Sequence, residues 1–457
     1  MRTFFLAIIA LILMALGGPG SAAEHRDIVI DQVHIIPMDE ERVLRDRAVR
    51  ISDGQIIEIR SAGHWQADDG IQLIDGRNGY LMPGLAEMHA HVPGEQAPMQ
   101  LREDILFLYL SNGVTLARGM LGEPWHLELR EGLEEGQFLG PRLITSGPSL
   151  NGNSVDSPEA GREMVRDQVE AGYDFLKIHP GLGRAEFDAI AEEANELGMA
   201  FAGHVPEDVG IYRALEAGYA SIDHLDRYPR ALVDDEVLER IDPGFFDYRL
   251  APHAKAERLA EIAEQTRDAG VWNVPTETLM HNLLLMDPEE APRQRPEMRY
   301  LPAEMVESWQ DWARRTQSDE DYDRDAAEAF VALRKDLIKA LHATGAELLL
   351  GSDAPQVFNV PGFSIHHEMA IMEAAGLSPF EVLQTGTVNP ARYFDMGDHF
   401  GQVAEGMNAD LVLLRANPLK DLSNLRDPRG VMIRGQWIDA EQIGATLREI
   451  EDRYARD

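Results

Sequence analysis

Apolar and polar residues alternate over 27–36, and again over 48–52 and 55–59, a period of two that predicts strands. Asp53-Gly54 between the last two is a hairpin turn pair. Short strands continue to Leu81. From Pro83 the pattern changes to short apolar runs alternating with helical stretches, the signature of parallel β/α units. Helix 185–197 carries Phe187, Ile190, Ala194 and Leu197 on one face and stops at Gly198. Ser378-Pro379-Phe380-Glu381 opens another with a capping box.

Eight strand candidates follow Pro83: 85–89, 114–118, 142–146, 175–178, 200–204, 221–224, 271–276 and 347–351. The first five end 26 to 32 residues apart, the spacing of a β/α unit. Longer stretches precede the last two, so loops or extra helices are inserted there. Eight such units predict a (β/α)8 TIM-type barrel with its chemistry at the C-terminal strand ends. Beyond Tyr393, strand patterns return at 409–414 and 431–433. The N- and C-terminal β segments are therefore expected to pair into one small β-sandwich. The expected organisation is 24–82 and 396–457 as the two parts of that sandwich, with the barrel over 83–395. The charged run 318–328 reads as a solvated loop entering a helix. Trp125, Trp272, Trp309 and Trp312 read as core residues.

The chain opens differently. Arg2 precedes thirteen apolar residues over 4–16, then Gly17-Gly18-Pro19-Gly20 and the small residues Ser21-Ala22-Ala23. This is the layout of a signal peptide over 1–23, cleaved after Ala23, which sends the protein to a periplasm or outside the cell. The run is short of the roughly 20 residues that cross a bilayer; an uncleaved anchor is the alternative. No stable membrane insertion is expected after cleavage. The formal charge of −37, from 79 acidic and 42 basic side chains, repels phosphates and makes nucleic acid an unsuitable partner. Without cysteine there is neither a disulfide nor a thiol nucleophile. The oligomeric state is not legible.

Candidate chemistry collects at the expected strand ends. His89 and His91 close strand one as His-x-His, both on one face of an extended chain. His204 ends strand five, His224 strand six and Asp353 strand eight, with Lys177 near the end of strand four. Imidazoles and a carboxylate converging on one mouth suit zinc or a similar divalent ion, and open coordination positions make such a site catalytic.

Leu81-Met82-Pro83-Gly84-Leu85-Ala86-Glu87-Met88-His89-Ala90-His91 resembles the opening signature of the metal-dependent amidohydrolase superfamily. The chain is most similar to its branch of imidazolonepropionase-like enzymes and Xaa-Pro dipeptidase-type amidohydrolases. Gly113-Val114-Thr115, Gly140-Pro141-Arg142, Ser221-Ile222-Asp223-His224 and Thr387-Val388-Asn389-Pro390-Ala391-Arg392 continue the similarity, which runs from about 27 to 440. The chain departs from it where strand six reads Asp-His-Leu in place of the common Glu-His-Gly.

The resemblance implies two divalent ions: His89, His91 and Asp353 on one, His204 and His224 on the other. Lys177 bridges them as a CO2-derived carbamate, since an ammonium of pKa about 10.4 has no lone pair to offer a metal. The plain alternative is Lys177 as a buried salt-bridge partner. The implied reaction is amide C–N hydrolysis of a small peptide-like substrate, an Xaa-Pro or other dipeptide or an N-acyl amino acid, by metal-activated hydroxide. Asp353 is its general base. Alternatives are a cyclic amide, lactone or carbamate hydrolase on the same site, or a non-catalytic exported binding protein. For substrate contacts, Tyr228 follows strand six, His179 either faces the pocket or supports a ligand, and His281 follows strand seven. Arg299 could clamp a carboxylate with Tyr300 beside it, within the insertion 281–325 that is a lid candidate.

Overall fold

The first alternating stretch forms β1 (Ile28–Ile35) in a computed structural model that describes residues 27–65 and 70–455. The expected signal segment 1–23 lies outside the described residues. β1 pairs antiparallel with β2 (Leu44–Ser52), which turns through Asp53-Gly54 into β3 (Gln55–Ser61). Asp53 and Gly54 sit at φ 49° and 73°, the left-handed pair that a two-residue hairpin turn requires. β4 (Gln72–Asp75) and β5 (Tyr80–Pro83) both pair in parallel with β1, on its first and last residues respectively. The pairing of β1 shifts between Ile30 and Val33, where Gln32 takes φ 59°, so the strand serves different partners on either side of the bulge.

Parallel pairing begins after Gly84. β6 (Leu85–Ala90), β7 (Val114–Gly119) and β8 (Arg142–Thr145) form one parallel sheet. β9 (Leu176–Ile178), β10 (Phe201–Gly203), β11 (Ser221–Asp223) and β12 (Trp272–Val274) form a second. Parallel bridges from Ser146 to Phe175 and from Leu150 to Ile178 link the chain leaving β8 to β9. The expected eighth strand, 347–351, is not a continuous ladder. It meets both neighbours through single bridges, Asn273–Leu348 and Ala90–Ala354, and through Leu349 N to Asn273 O and Met88 N to Leu350 O, each 2.8 Å. Gly351 accounts for the tightness there, because a Cβ on it would lie 2.5 Å from Val274 Cγ1 and 2.8 Å from His89 N.

Helices cover the strands as their apolar spacing dictates. Arg184–Leu197 buries Phe187, Ile190, Ala191 and Ala194 and ends at Gly198 (φ 68°), while Leu197 stays exposed. Pro379–Thr385 begins with the expected Ser378/Glu381 capping box. The long stretch after β12 holds helices Glu277–Leu284, Ala303–Ser318 and Arg324–Thr344, the last capped by the Asp323 side chain. Among the described residues no helix is long and apolar enough to cross a membrane.

The C-terminal strands return to the first sheet. β13 (Leu411–Leu414) lies antiparallel to β5, followed by β14 (Pro428–Ile433) and β15 (Gln436–Asp439), giving the order β15-β14-β13-β5-β1-β2-β3 with β4 also on β1. Both chain ends thus share one eight-stranded sheet, where two facing sheets of a sandwich were expected. The fork at β1 is the physical reason, since β4 pairs with its first half and β5 with its last residues, which joins both to one sheet. The period of two divides the cores: Leu81, Leu411, Leu413 and Met432 join a cluster of the sheet's own, with Ile30, Ile35 and Val49. Met82, Val412, Leu414, Val431 and Ile433 point the other way into the main core.

Candidate metal centre

Strand alternation and sharp turns bring the imidazoles together. His89 ends β6 and is fully buried, while His91 follows it on the same side, with rings 5.4 Å apart. His204 follows β10, and its ring stacks on His224 at 4.4 Å and on His179 at 5.1 Å. His224 at φ 61°, Leu225 at 50°, Thr276 at 52° and Asp353 at 62° all turn left-handed just past their strands. Such conformations are rare and strained outside glycine and gather where the surrounding structure holds a functional geometry.

His204 and His224 are oriented from behind. His204 Nδ1 donates to Asp226 Oδ2 at 2.8 Å. His224 Nδ1 donates to Thr276 Oγ1 at 2.8 Å, whose own hydroxyl donates to Pro275 O. His89 Nδ1, by contrast, lies 3.0 Å from Asp223 Oδ2 without a hydrogen bond. A ring whose Nδ1 is hydrogen-bonded, as in His204 and His224, presents Nε2 as a lone pair, the arrangement metal-ligating histidines use. Burial keeps His89 largely neutral, pushing it down to about 4, and burial with the neighbouring His204 drives His224 well below its ordinary value. Burial and Lys177 bring His179 down to about 2. Neutral imidazoles are the form a metal needs.

Asp353 sits among them, with Oδ1 2.7 Å from His91 Nε2 and 3.5 Å from His89 Nε2. Burial opposes its charge, but His89 and His91 outweigh burial and hold the carboxyl below the usual carboxylate range. Gln356 Nε2 donates to Oδ2 at 3.1 Å, whereas Oδ1 is buried without a hydrogen bond. Lys177 Nζ, on β9, is likewise buried with no hydrogen bond, 3.6 Å from Asp223 Oδ2. Burial lowers its pKa against the pull of Asp223. Asp223 is anchored in turn by Arg118 at 3.1 Å. His89, His224 and Asp353 each offer a ligand atom within 4.8 Å of the others. A buried carboxylate oxygen with no donor, facing imidazole lone pairs, fits a divalent cation.

Below these groups, Arg334 is buried and reaches Glu277 through Nε at 2.8 and 3.0 Å, His224 O at 2.6 Å and Pro275 O at 2.8 Å. It fastens the turns after β11 and β12 to one helix. Arg334→Ala leaves Glu277 as an unpaired buried charge, and the expected loss of stability is about 3–5 kcal/mol by urea unfolding. A loss under about 1 kcal/mol, the median for exposed pairs, would show that the network does not hold the turns.

The histidines and Asp353 line a cavity of about 610 Å³ together with His179. Sequence reasoning did not single out Arg227, Arg230, Asp226, Phe245, Phe246 or Gln356, which also line it. Asp226 and Arg227 could have been found from their place just after His224. Phe245-Phe246 follows the turn Asp242-Pro243-Gly244 and has no periodicity to mark it. Trp312, expected in the core, is half-buried at the cavity wall, while Trp309 is buried.

Four expected substrate contacts lie elsewhere. Tyr228 is fully buried, its hydroxyl donating to Asn273 Oδ1 at 2.8 Å and lying 3.0 Å from Thr266 Oγ1. His281 shares a helix with Leu279 and Leu283, which face the cavity, but two residues turn a helix by about 200°, so it points away. Arg299 is half-exposed, pairs with Glu451 at 3.4 Å and donates to Tyr300. Tyr300 stacks on Phe363 at 5.4 Å. Tyr228→Phe is expected to cost about 1 kcal/mol of stability and to change kcat/KM by less than about twofold. A larger kinetic loss at full metal content would return Tyr228 to the site.

The Amidohydrolase family profile matches residues 80–438. The ochratoxinase of Aspergillus niger is 22% identical over 467 residues, spanning 87% of this chain and 83% of that protein. The structure of a bottromycin amidohydrolase superposes with a TM-score of 0.70 at 24% identity, over 93% of this chain and 90% of the other. A Xaa-Pro dipeptidase with methionine in its active site superposes at 0.67 and 19% identity, over 90% and 100%. At such identities the structural likenesses establish a shared fold.

Proposed function

The chain belongs to the amidohydrolase family, and on that premise we propose that it hydrolyses an amide C–N bond of a small peptide-like substrate. An Xaa-Pro or other dipeptide, or an N-acyl amino acid, is the substrate class, and the protein is exported by its 1–23 segment. The observation that carries the reading is the buried, donor-free Oδ1 of Asp353 among oriented histidines. The relatives support it, since a Xaa-Pro dipeptidase and a bottromycin amidohydrolase bear names of amide-cleaving enzymes. The two parallel sheets and the bridges at 348 and 354 support a (β/α)8 barrel over 83–395, with 24–82 and 396–457 as its companion. A cavity of about 610 Å³ suits a small molecule.

His89, His91 and Asp353 would hold one divalent ion, zinc by donor type, and His204 and His224 the second. Lys177 would bridge them as a carbamate. The ions supply Lewis acidity toward water and the scissile carbonyl. Asp353 takes the proton from the attacking water and delivers it to the departing nitrogen. Gln356 holds its other oxygen in place. His179, neutral and stacked on His204, stands at the cavity where a substrate carbonyl would be oriented.

The test is free-amine release by the metal-loaded chain from Glu24 onward, across dipeptides and N-acyl amino acids. Turnover that a chelator abolishes and zinc restores is the expected result. Turnover that survives the chelator would overturn the metal mechanism. Silence on every amide with metal bound would overturn the amide reading in favour of cyclic amides, lactones or carbamates.

A further inference from the structure

One wall of the cavity is apolar and crowded with rings. Phe245 and Phe246 meet edge-on with centroids 4.4 Å apart. Phe246 stands 5.5 Å from the His224 ring and 5.9 Å from the His204 ring, so it overlooks the candidate metal centre directly. Phe245 is 43% exposed although it is large and apolar. Leu279 and Leu283, one helical turn apart, and Trp312 complete this wall.

The loop bearing the two phenylalanines is held in a costly conformation. Phe246 and Asp247 are both left-handed, at φ 53° and 64°. Asp247 is fully buried and accepts Arg227 Nη1 on both oxygens at 2.9 Å, and Arg230 Nε at 2.9 Å. Arg230 also reaches Glu207 at 2.6 Å. Among the described residues, Arg227 and Arg230 are the only lysine or arginine side chains lining the cavity, and both are paired with carboxylates. Asp242 and Glu207 add negative charge at the rim. An ionised carboxylate on a substrate finds no spare cation on this side, whereas an uncharged ring finds a ready surface.

We propose that this wall selects substrates carrying a bulky, uncharged aromatic side group. Phe246 is the specificity-determining contact, and Asp247 is the positioning residue that holds it through Arg227 and Arg230. The proposal rests on the amide-hydrolase reading for its kinetics, but its binding arm does not.

In the kinetic arm, N-acetyl-phenylalanine and N-acetyl-alanine are compared with the metal-loaded chain. The phenylalanine derivative is expected to have the higher kcat/KM by about tenfold, the size of one ring contact. Phe246→Ala should remove that preference through KM, with metal content intact. Asp247→Asn should raise KM for the phenylalanine derivative more than for the alanine derivative, a split that general destabilisation would not produce. In the binding arm, L-phenylalaninol and L-alaninol, which carry no amide, are titrated by calorimetry. Tighter binding of phenylalaninol that Phe246→Ala abolishes supports the proposal even if no amide is cleaved. Equal binding of the two, or a preference that persists in Phe246→Ala, overturns it while leaving amide turnover standing. Should Phe246→Ala fail to fold, Leu283→Ala on the facing helix is read in the same way.

Discussion

Asp353→Asn is expected to lower kcat by about 10³-fold, within the range general acid–base groups supply, while the protein stays folded and keeps much of its metal. Asparagine has nearly the shape of aspartate and retains one oxygen for a ligand, so the left-handed turn at 353 is undisturbed. It cannot take a proton from water or return one to nitrogen. The geometry makes the loss specific. Oδ1 is within reach of His91 and His89, Oδ2 is engaged by Gln356, and among the described residues no other acid pairs with His91. Burial alone would hold the carboxyl protonated, and the two imidazoles reverse that. Steady-state kinetics beside metal analysis check the expectation. A variant with near-normal kcat would remove Asp353 from the reaction.

Lys177→Ala carries the second large effect. The metal content is expected to fall from two equivalents to one or none, with activity down by about 10³-fold or more. The argument starts from an amine in a place where an ammonium is poorly tolerated. Nζ is buried, lacks a hydrogen bond and has Asp223 only at 3.6 Å. Lowering its pKa favours the free amine, which adds to CO2 and releases a proton, leaving an anionic N-carboxylate. Two cations nearby would stabilise that anion, and the anion would hold the cations together. Labelled bicarbonate should give a carbamate carbon signal by NMR that is absent from Lys177→Ala. Two metal equivalents retained in the variant, with no such signal in the parent, would return Lys177 to a salt bridge with Asp223.

The convergence of His89, His91, His204, His224 and Asp353 was legible because each closes a short apolar run, and strand ends on parallel sheets share one side. Lys177 was legible for the same reason. What failed was direction and distance. Tyr228 follows His224 by only four residues, yet its side chain turns inward to Asn273. Arg299 and Tyr300 belong to the insertion that also brings Trp312 to the cavity, but they lie against the C-terminal helix Ala440–Tyr454. Contacts between an insertion and the body of a fold leave no periodic trace. The Phe245-Phe246 wall was invisible because its shape is set by a buried ion cluster around Asp247, made of residues from separate segments. The eighth strand was expected to be regular, and the bare Cα of Gly351 wedged against His89 and Val274 shows why its pairing is reduced to single bridges.

The sheet that unites both chain ends carries a consequence for biosynthesis. β5 is flanked on one side by β1, made shortly before it, and on the other by β13, made far later along the chain. At the usual pace of translation that second edge stays open for on the order of tens of seconds. Open edges are templates for pairing with the wrong chain. A nascent chain stopped before residue 411 thus has its parallel strands in hand and an unclosed ribbon beside them. Addition of β13 is the step that closes this edge.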